Sequence, residues 1–192
     1  MSQEIFANTG KLSRFILRLD RIRIPLWIVG IIFFTVLVPL AFEGLHDTQQ
    51  ERDVMAETMA NPAMTAMLGP GDLDNYTTGA MTAHNMLLMT AIAVGLMAIL
   101  LVTRHTRADE EDGRLEIIRS LPIGRLSYLN ASLVVTSGAF VLLAILTGIS
   151  LYALNIESLD LEGSFLYGAV LGGTGLIFTG VTAVFAQIVE SS

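Results

Sequence analysis

Residues Ile24 to Phe42 read IPLWIVGIIFFTVLVPLAF, a run with no Asp, Glu, Lys or Arg. About 20 apolar residues in a helix cross a hydrocarbon core of ~30 Å, so the run predicts a membrane span. Three further charge-free runs follow, Met86 to Val102, Leu129 to Leu154 and Phe165 to Val189. Transmembrane strands alternate in polarity over about ten residues, whereas these runs are longer and apolar on every side. The predicted fold is therefore all-α: a polytopic transmembrane helix bundle of four spans, with an N-terminal interfacial amphipathic helix and a helical extracellular segment. Composition agrees, since 53% of the 192 residues are hydrophobic and only 15% charged, with a mean hydropathy of +0.63. That is too apolar for a soluble domain of this length.

Charge placement gives the expected orientation. Lys11, Arg14, Arg18, Arg21 and Arg23 precede the first run, Arg104, Arg107, Arg114, Arg119 and Arg125 lie between the second and third, and Arg52 alone falls elsewhere. Basic residues near span ends are retained in the cytoplasm, which places both termini and the middle loop inside. The expected order is a cytoplasmic amphipathic helix (1–23), a first span (24–42), an extracellular helical segment (43–83), a second span (84–102) and a cytoplasmic loop (103–127). A third span (128–154), an extracellular loop (155–163) and a fourth span (164–189) complete it. The net charge is −7, but many acids (Glu43, Asp47, Glu51, Asp53, Glu57, Asp72, Asp74, Glu157, Asp160, Glu162) sit in the two outside segments. They read as solvated loop charge rather than as a surface for a basic partner, and nucleic acid is not expected to bind. The absence of cysteine excludes a disulfide framework, a thiolate metal site and a thiol nucleophile. The first apolar run is longer than a signal-peptide core and Pro39 spoils a cleavage site, so an uncleaved span is expected.

Before the first span, Leu12, Phe15, Ile16, Leu19 and Ile22 recur at helical spacing opposite Lys11, Arg14, Arg18 and Arg21. That pattern predicts an interfacial helix, apolar side among acyl chains and basic side toward anionic headgroups. In the first outside segment, Thr48 with Glu51 predicts a capping box, and Asn61-Pro62 predicts a cap and first residue of a second helix. Gly69-Pro70-Gly71 stops that helix. Met55, Met59, Met64, Met67 and Leu68 form a stripe that offers either an adaptable surface for an apolar substrate or, the expectation favoured, packing on the outer membrane face. His84 and Asn85, at the outer end of the second span, read as interfacial anchors. Gly168 and Gly172 make a GxxxG pair, and with Gly175 they predict a close helix contact on the fourth span, to which Gly173 and Gly180 add small residues. Asn130, Thr136, Ser137 and Thr147 can bond locally or across helices. The four apolar runs hold no Asp, Glu, Lys or Arg, so a proton relay or ion-coupled carrier would lack its usual charged groups there.

The most informative stretch joins the second and third spans. Read as a short helix, it pairs Glu110 with Arg114 and Glu116 with Arg119, aligns Leu115, Ile118 and Leu121 on one edge, and ends at Pro122. Such a helix fits a groove on a soluble partner and equally fits a lipid surface. The pattern Arg104-x-x-Arg107-x-x-Glu110-Glu111-x-Gly113-Arg114-x-Glu116, followed by Pro122 and Arg125, resembles the first cytoplasmic loop of bacterial ABC-2-type exporter permeases of the polyketide-antibiotic (tetronasin-resistance) kind. Asn61-Pro62-Ala63 leading to Gly69-Pro70, and Phe185-Ala186-Gln187, resemble that family's outside segment and the end of its fourth span.

This resemblance implies the permease subunit of an ATP-driven exporter in the bacterial plasma membrane, moving hydrophobic or amphiphilic compounds such as antibiotics. The 104–122 loop would be its coupling element. Arg104, Arg107, Glu110, Glu111, Gly113, Arg114, Leu115, Glu116, Ile118 and Pro122 are then the expected partner-binding residues. ATP and Mg²⁺ would bind in a separate ABC-type ATP-binding subunit, in keeping with the lack of a GxxxxGK[ST] loop here. No catalytic, cofactor or metal residues are expected in this chain. Permeases of this kind are usually longer and often carry a second, similar half. The chain resembles their N-terminal part, so it is expected to be a fragment, a truncated product or one piece of a split permease, working with the remaining permease portion or a second copy. A different class of function is a non-transporting scaffold or sensor subunit, whose charged loop binds a regulator. A membrane-embedded enzyme would want paired acids, metal-ligand histidines or an activated nucleophile within the spans, and the sequence offers none.

Overall fold

The computed structural model describes residues 8–46, 48–105 and 127–188. Among them are seven α-helices and no strand: α1 (Thr9–Leu19), α2 (Arg23–Leu45), α3 (Gln49–Met59), α4 (Pro62–Leu68), α5 (Thr78–Thr103), α6 (Ser127–Tyr152) and α7 (Leu161–Ile188). Helices α2, α5, α6 and α7 are long and apolar enough to cross a membrane. The shortest, α2 with 23 residues, rises ~35 Å at ~1.5 Å per residue. Each buries one stripe and leaves the rest outward. In α2 the stripe is Ile24, Ile28, Ile31, Thr35 and Pro39, while Leu26, Val29, Phe33, Phe34, Leu37 and Leu40 are exposed. A helix apolar on all sides but buried on one is what a lipid solvent permits. Within the spans, Thr35, Thr90 and Thr179 return their hydroxyls to the carbonyls of Ile31, Met86 and Gly175 at 2.7–2.9 Å. This satisfies the hydroxyls without water.

The chain divides into two compact units. One comprises Met1–Trp27, Val94–Val141 and Gly173–Ser192, the other Ile28–Ala93 and Leu142–Gly172. In the first, α1 passes into α2 through a tight turn, with the Asp20 amide donating to the Ile16 carbonyl and the Ile24 amide to the Asp20 carbonyl. Leu12 and Ile16 on α1 are buried, yet Phe15, Leu19 and Ile22 stay exposed. The apolar side of α1 expected to meet lipid as a whole is thus divided, one strip entering the protein.

In the second unit, both caps read from the sequence are present. The Thr48 hydroxyl accepts from the Glu51 amide at 3.3 Å while the Glu51 carboxylate accepts from the Thr48 amide at 3.2 Å, a reciprocal pair that starts α3. Asn61 Oδ1 accepts from the Ala63 amide at 2.9 Å with Pro62 opening α4. Gly69, at φ 90°, ends α4 in a conformation that costs other residues strain. Helices α3 and α4 fold over a small core of Ala56, Met59, Tyr76 and Met81, flanked by Phe42, Met55, Met64, Leu68 and Leu73. Most of the methionine stripe therefore packs on protein rather than on the membrane face, because Tyr76 and the start of α5 supply the missing apolar partner; Met67 alone is 61% exposed. Arg52 closes the end of α2 by donating to the His46 carbonyl at 2.8 Å, and Glu43 accepts from the Thr78 hydroxyl at 2.9 Å.

Candidate functional site

The end of α5 carries the residues that lead into the charged stretch. The helix widens into a π turn at Arg104 and His105, a local distortion that recurs at functional positions. Successive residues on an α-helix point roughly 100° apart, yet both of these reach one carboxylate. His105 donates from Nε2 to Asp20 Oδ2, and Arg104 Nη1 lies 3.8 Å from Asp20 Oδ1. Asp20 and His105 side chains are each 1% exposed and Arg104 24%. A carboxylate taken out of water costs several kcal/mol unless paired, so this cluster holds the end of α1 against the end of α5 only while its partners stay in place. Of the three, sequence reasoning named Arg104 as a partner-facing residue and passed over Asp20 and His105. The signal was there: Leu12, Ile16 and Asp20 recur every fourth residue, which puts the acid on the inward strip of α1.

The other residues expected at the coupling loop, Arg107, Glu110, Glu111, Gly113, Arg114, Leu115, Glu116, Ile118 and Pro122, lie outside the described residues. What the structure places is the beginning of that stretch. Arg104 is turned toward Asp20 and its side chain is three-quarters buried.

A second polar cluster lies in the other unit. Tyr76 and His84 are buried, with the Tyr76 hydroxyl 3.0 Å from His84 Nδ1 and His84 Nε2 3.0 Å from the Gly69 carbonyl. The Asn85 amide donates to the Tyr76 hydroxyl at 3.2 Å and to the Met81 carbonyl at 2.9 Å. A carbonyl only accepts, so Nε2 carries the proton, which leaves Nδ1 to accept from the Tyr76 hydroxyl. Burial pushes the Tyr76 phenol above its ordinary range, and the Asn85 hydrogen bond draws it partly back. His84 and Asn85 are thus members of an enclosed network that clasps the Gly69-Pro70-Gly71 turn to α5. The interfacial-anchor reading fails because Tyr76, eight residues upstream of His84, covers the imidazole. At Gly71 the close approach is real: a methyl there would stand 2.6 Å from His84 Nδ1.

Between spans, the Thr90 and Tyr167 hydroxyls meet at 2.9 Å. This contact joins α5 to α7. The glycines expected to pack helices do so at two positions. A methyl on Gly168 would run into the Ala144 carbonyl and stand 3.1 Å from the Gly148 amide, and one on Gly175 would enter the Phe140 ring, 2.7 Å from its Cε1. Gly172 lies on the same buried stripe of α7, with Tyr167, Gly168, Leu171, Gly175 and Thr179. A methyl on Gly173 or Gly180 would meet no neighbouring element within 4 Å. Among the described residues no group of three or more His, Asp or Glu is placed to hold a metal.

Residues 12–189 match the family model described as multidrug efflux system permease Rv1217c, C-terminal domain. The multidrug efflux system permease protein Rv1217c of Mycobacterium tuberculosis is 35% identical over 190 residues, covering 97% of this chain and 33% of that protein. The chain therefore spans about a third of the length of the curated relative it matches. The matched region is described as a C-terminal domain, where the loop pattern alone pointed to the N-terminal part of a longer permease. Since the match takes in most of α1, all four apolar helices and the stretch that Asp20, Arg104 and His105 introduce, the chain belongs to the multidrug efflux permease Rv1217c C-terminal domain family.

Proposed function

We propose that this chain is the part of an exporter permease that converts ATP-driven motion of a separate ABC-type subunit into movement of α5 and α6. The substrates are hydrophobic or amphiphilic compounds such as antibiotics. ATP and Mg²⁺ bind in the partner, and the remaining permease portion or a second copy completes the pathway in the bacterial plasma membrane. Both termini and the 104–122 stretch face the cytoplasm in this reading, as the arginine distribution favours. A permease with two similar halves reconciles the resemblance to an N-terminal part with the match to a C-terminal domain.

The observation that carries the reading is the match over 12–189 to a multidrug efflux permease domain. The Asp20 cluster supports it: a coupling loop transmits force only if its root is fixed, and Asp20 fixes Arg104 and His105 where the loop leaves α5. Glu110, Glu111, Arg114 and Glu116 then supply charge to the ATPase, while Leu115 and Ile118 fill an apolar notch. The test is co-expression of this chain with a candidate ABC-type ATPase, sought first in neighbouring reading frames. Reversing Glu110 and Glu111 to Lys should abolish co-purification of the ATPase and drug efflux while membrane insertion stays normal. Undiminished co-purification of the doubly reversed protein would overturn the proposal.

A further inference from the structure

Helix α1 presents three faces, and only one of them is used inside the protein. Leu12 at 9%, Ile16 at 0% and Asp20 at 1% exposure form the inward strip. Phe15 (46%) and Leu19 (37%) form a second strip, exposed and apolar, continued beyond the helix by Ile22 (69%) and Leu26 (70%). On a 3.6-residue wheel Lys11, Arg14 and Arg18 fall within an arc of roughly 60° that adjoins this second strip. Those three, with Arg21 and Arg23 just beyond, are all exposed. The one acid between Lys11 and Phe42 is Asp20, and it is turned away and occupied by His105 and Arg104. The outward charge of 11–23 is therefore uniformly positive, set beside side chains suited to acyl chains.

The geometry points to α1 as a docking surface for anionic phospholipid, its phosphate headgroups on Lys11, Arg14, Arg18 and Arg21 and its acyl chains against Phe15, Leu19 and Ile22. Charge complementarity selects the anionic lipid over a zwitterionic one, because a headgroup that carries its own cation gains nothing net from a row of arginines. An acidic protein would satisfy the arginines but would leave the apolar strip in water. The site also reaches the loop: lipid held on the outer faces of α1 steadies Asp20 on its inner face, and hence Arg104 and His105. That last consequence rests on the function proposed above; the lipid preference itself does not.

Trp27 is the chain's single tryptophan and lies one turn beyond Arg23, which makes it a local reporter. The purified chain is reconstituted into vesicles of equal parts phosphatidylcholine and phosphatidylglycerol, with acyl-chain bromine on one lipid or the other, and quenching of Trp27 is compared. Brominated phosphatidylglycerol should quench as though enriched about fivefold around the protein, the ratio that one basic contact of ~1 kcal/mol gives, and the excess should vanish in a Lys11→Gln, Arg14→Gln, Arg18→Gln variant. In the unmodified chain ~1 M salt, with a Debye length of ~3 Å, should also remove it, which keeps the test valid if the variant misfolds. Equal quenching by the two lipids in the unmodified chain, or a preference that survives salt, would overturn the inference. Neither ATPase nor drug is present, so a failed coupling model and a failed lipid site give different results.

Discussion

Replacing Gly168 by Ala tests whether α6 and α7 touch backbone to backbone. The new methyl would lie 3.1 Å from the Gly148 amide nitrogen and closer still to the Ala144 carbonyl oxygen, whereas carbon and oxygen normally approach to about 3.3–3.6 Å. Both obstacles are main chain, so no rotamer change relieves the clash and the helices must part by ~1 Å at that level. Forcing an extra methyl into a packed site costs about 1–3 kcal/mol, offset by the ~0.8–1.0 kcal/mol by which Ala favours a helix over Gly. The net expectation is a loss of up to about 2 kcal/mol. A methyl on Gly173 of the same helix would meet no neighbouring element within 4 Å, so Gly173→Ala shows the propensity term alone and should be neutral or up to ~1 kcal/mol more stable. The difference between the two variants, about 1–3 kcal/mol because the propensity gain is common to both, is read from the detergent-titration midpoint of helical circular dichroism. Equal midpoints, or a more stable Gly168→Ala, would refute the packing argument. Gly175→Ala should fall between them, since its obstacle is the Phe140 side chain.

Three other outcomes are expected. His105→Ala should destabilise the protein by about 3–5 kcal/mol by leaving the buried Asp20 carboxylate short of a partner, and Arg104→Gln by less, since Arg104 is 3.8 Å away and partly exposed; equal effects in thermal unfolding would contradict the cluster. Because burial raises the Tyr76 phenol above 10.0, the folded state holds that proton more tightly, so stability is intact below about pH 10 and falls as pH rises through the folded value. Tyr76→Phe should lose that alkaline decline, and a decline of the same steepness would assign it elsewhere. A double-mutant cycle on Thr90→Val and Tyr167→Phe should give a coupling of about 0.6 kcal/mol, the usual size between membrane helices; additive losses would show that the 2.9 Å contact contributes nothing.

The spans were legible because a charge-free run of some twenty residues has few other uses, and the caps at Thr48 and Asn61 because capping chemistry is local. Tertiary partnership was not legible. Met59 and His84 look like interfacial residues until Tyr76 is folded over them, and nothing in their own neighbourhood announces a phenol from the preceding turn. Asp20 was hidden by its surroundings: one acid among arginines reads as a gap in a basic patch, although its fourfold spacing from Leu12 and Ile16 marks the inward side. Gly168 and Gly175 could be assigned to helix packing by spacing, but which glycine touches backbone and which touches a ring depends on the register of α6 against α7. The charged residues from Arg107 to Pro122 lie outside the described residues, so their proposed role rests on pattern and family.

In the second unit α5 is gripped at successive levels: Glu43 holds Thr78, the Ser158 hydroxyl accepts from the Gly79 amide at 2.9 Å, and Tyr167 meets Thr90. Sliding this part of the helix by one turn, ~5.4 Å, would tear all three grips at once. Axial ratcheting past its neighbours is thus disfavoured there, and any displacement of this part of α5 has to be a tilt or a twist that α2 and α7 share, as a spindle turns with the spokes fixed to it.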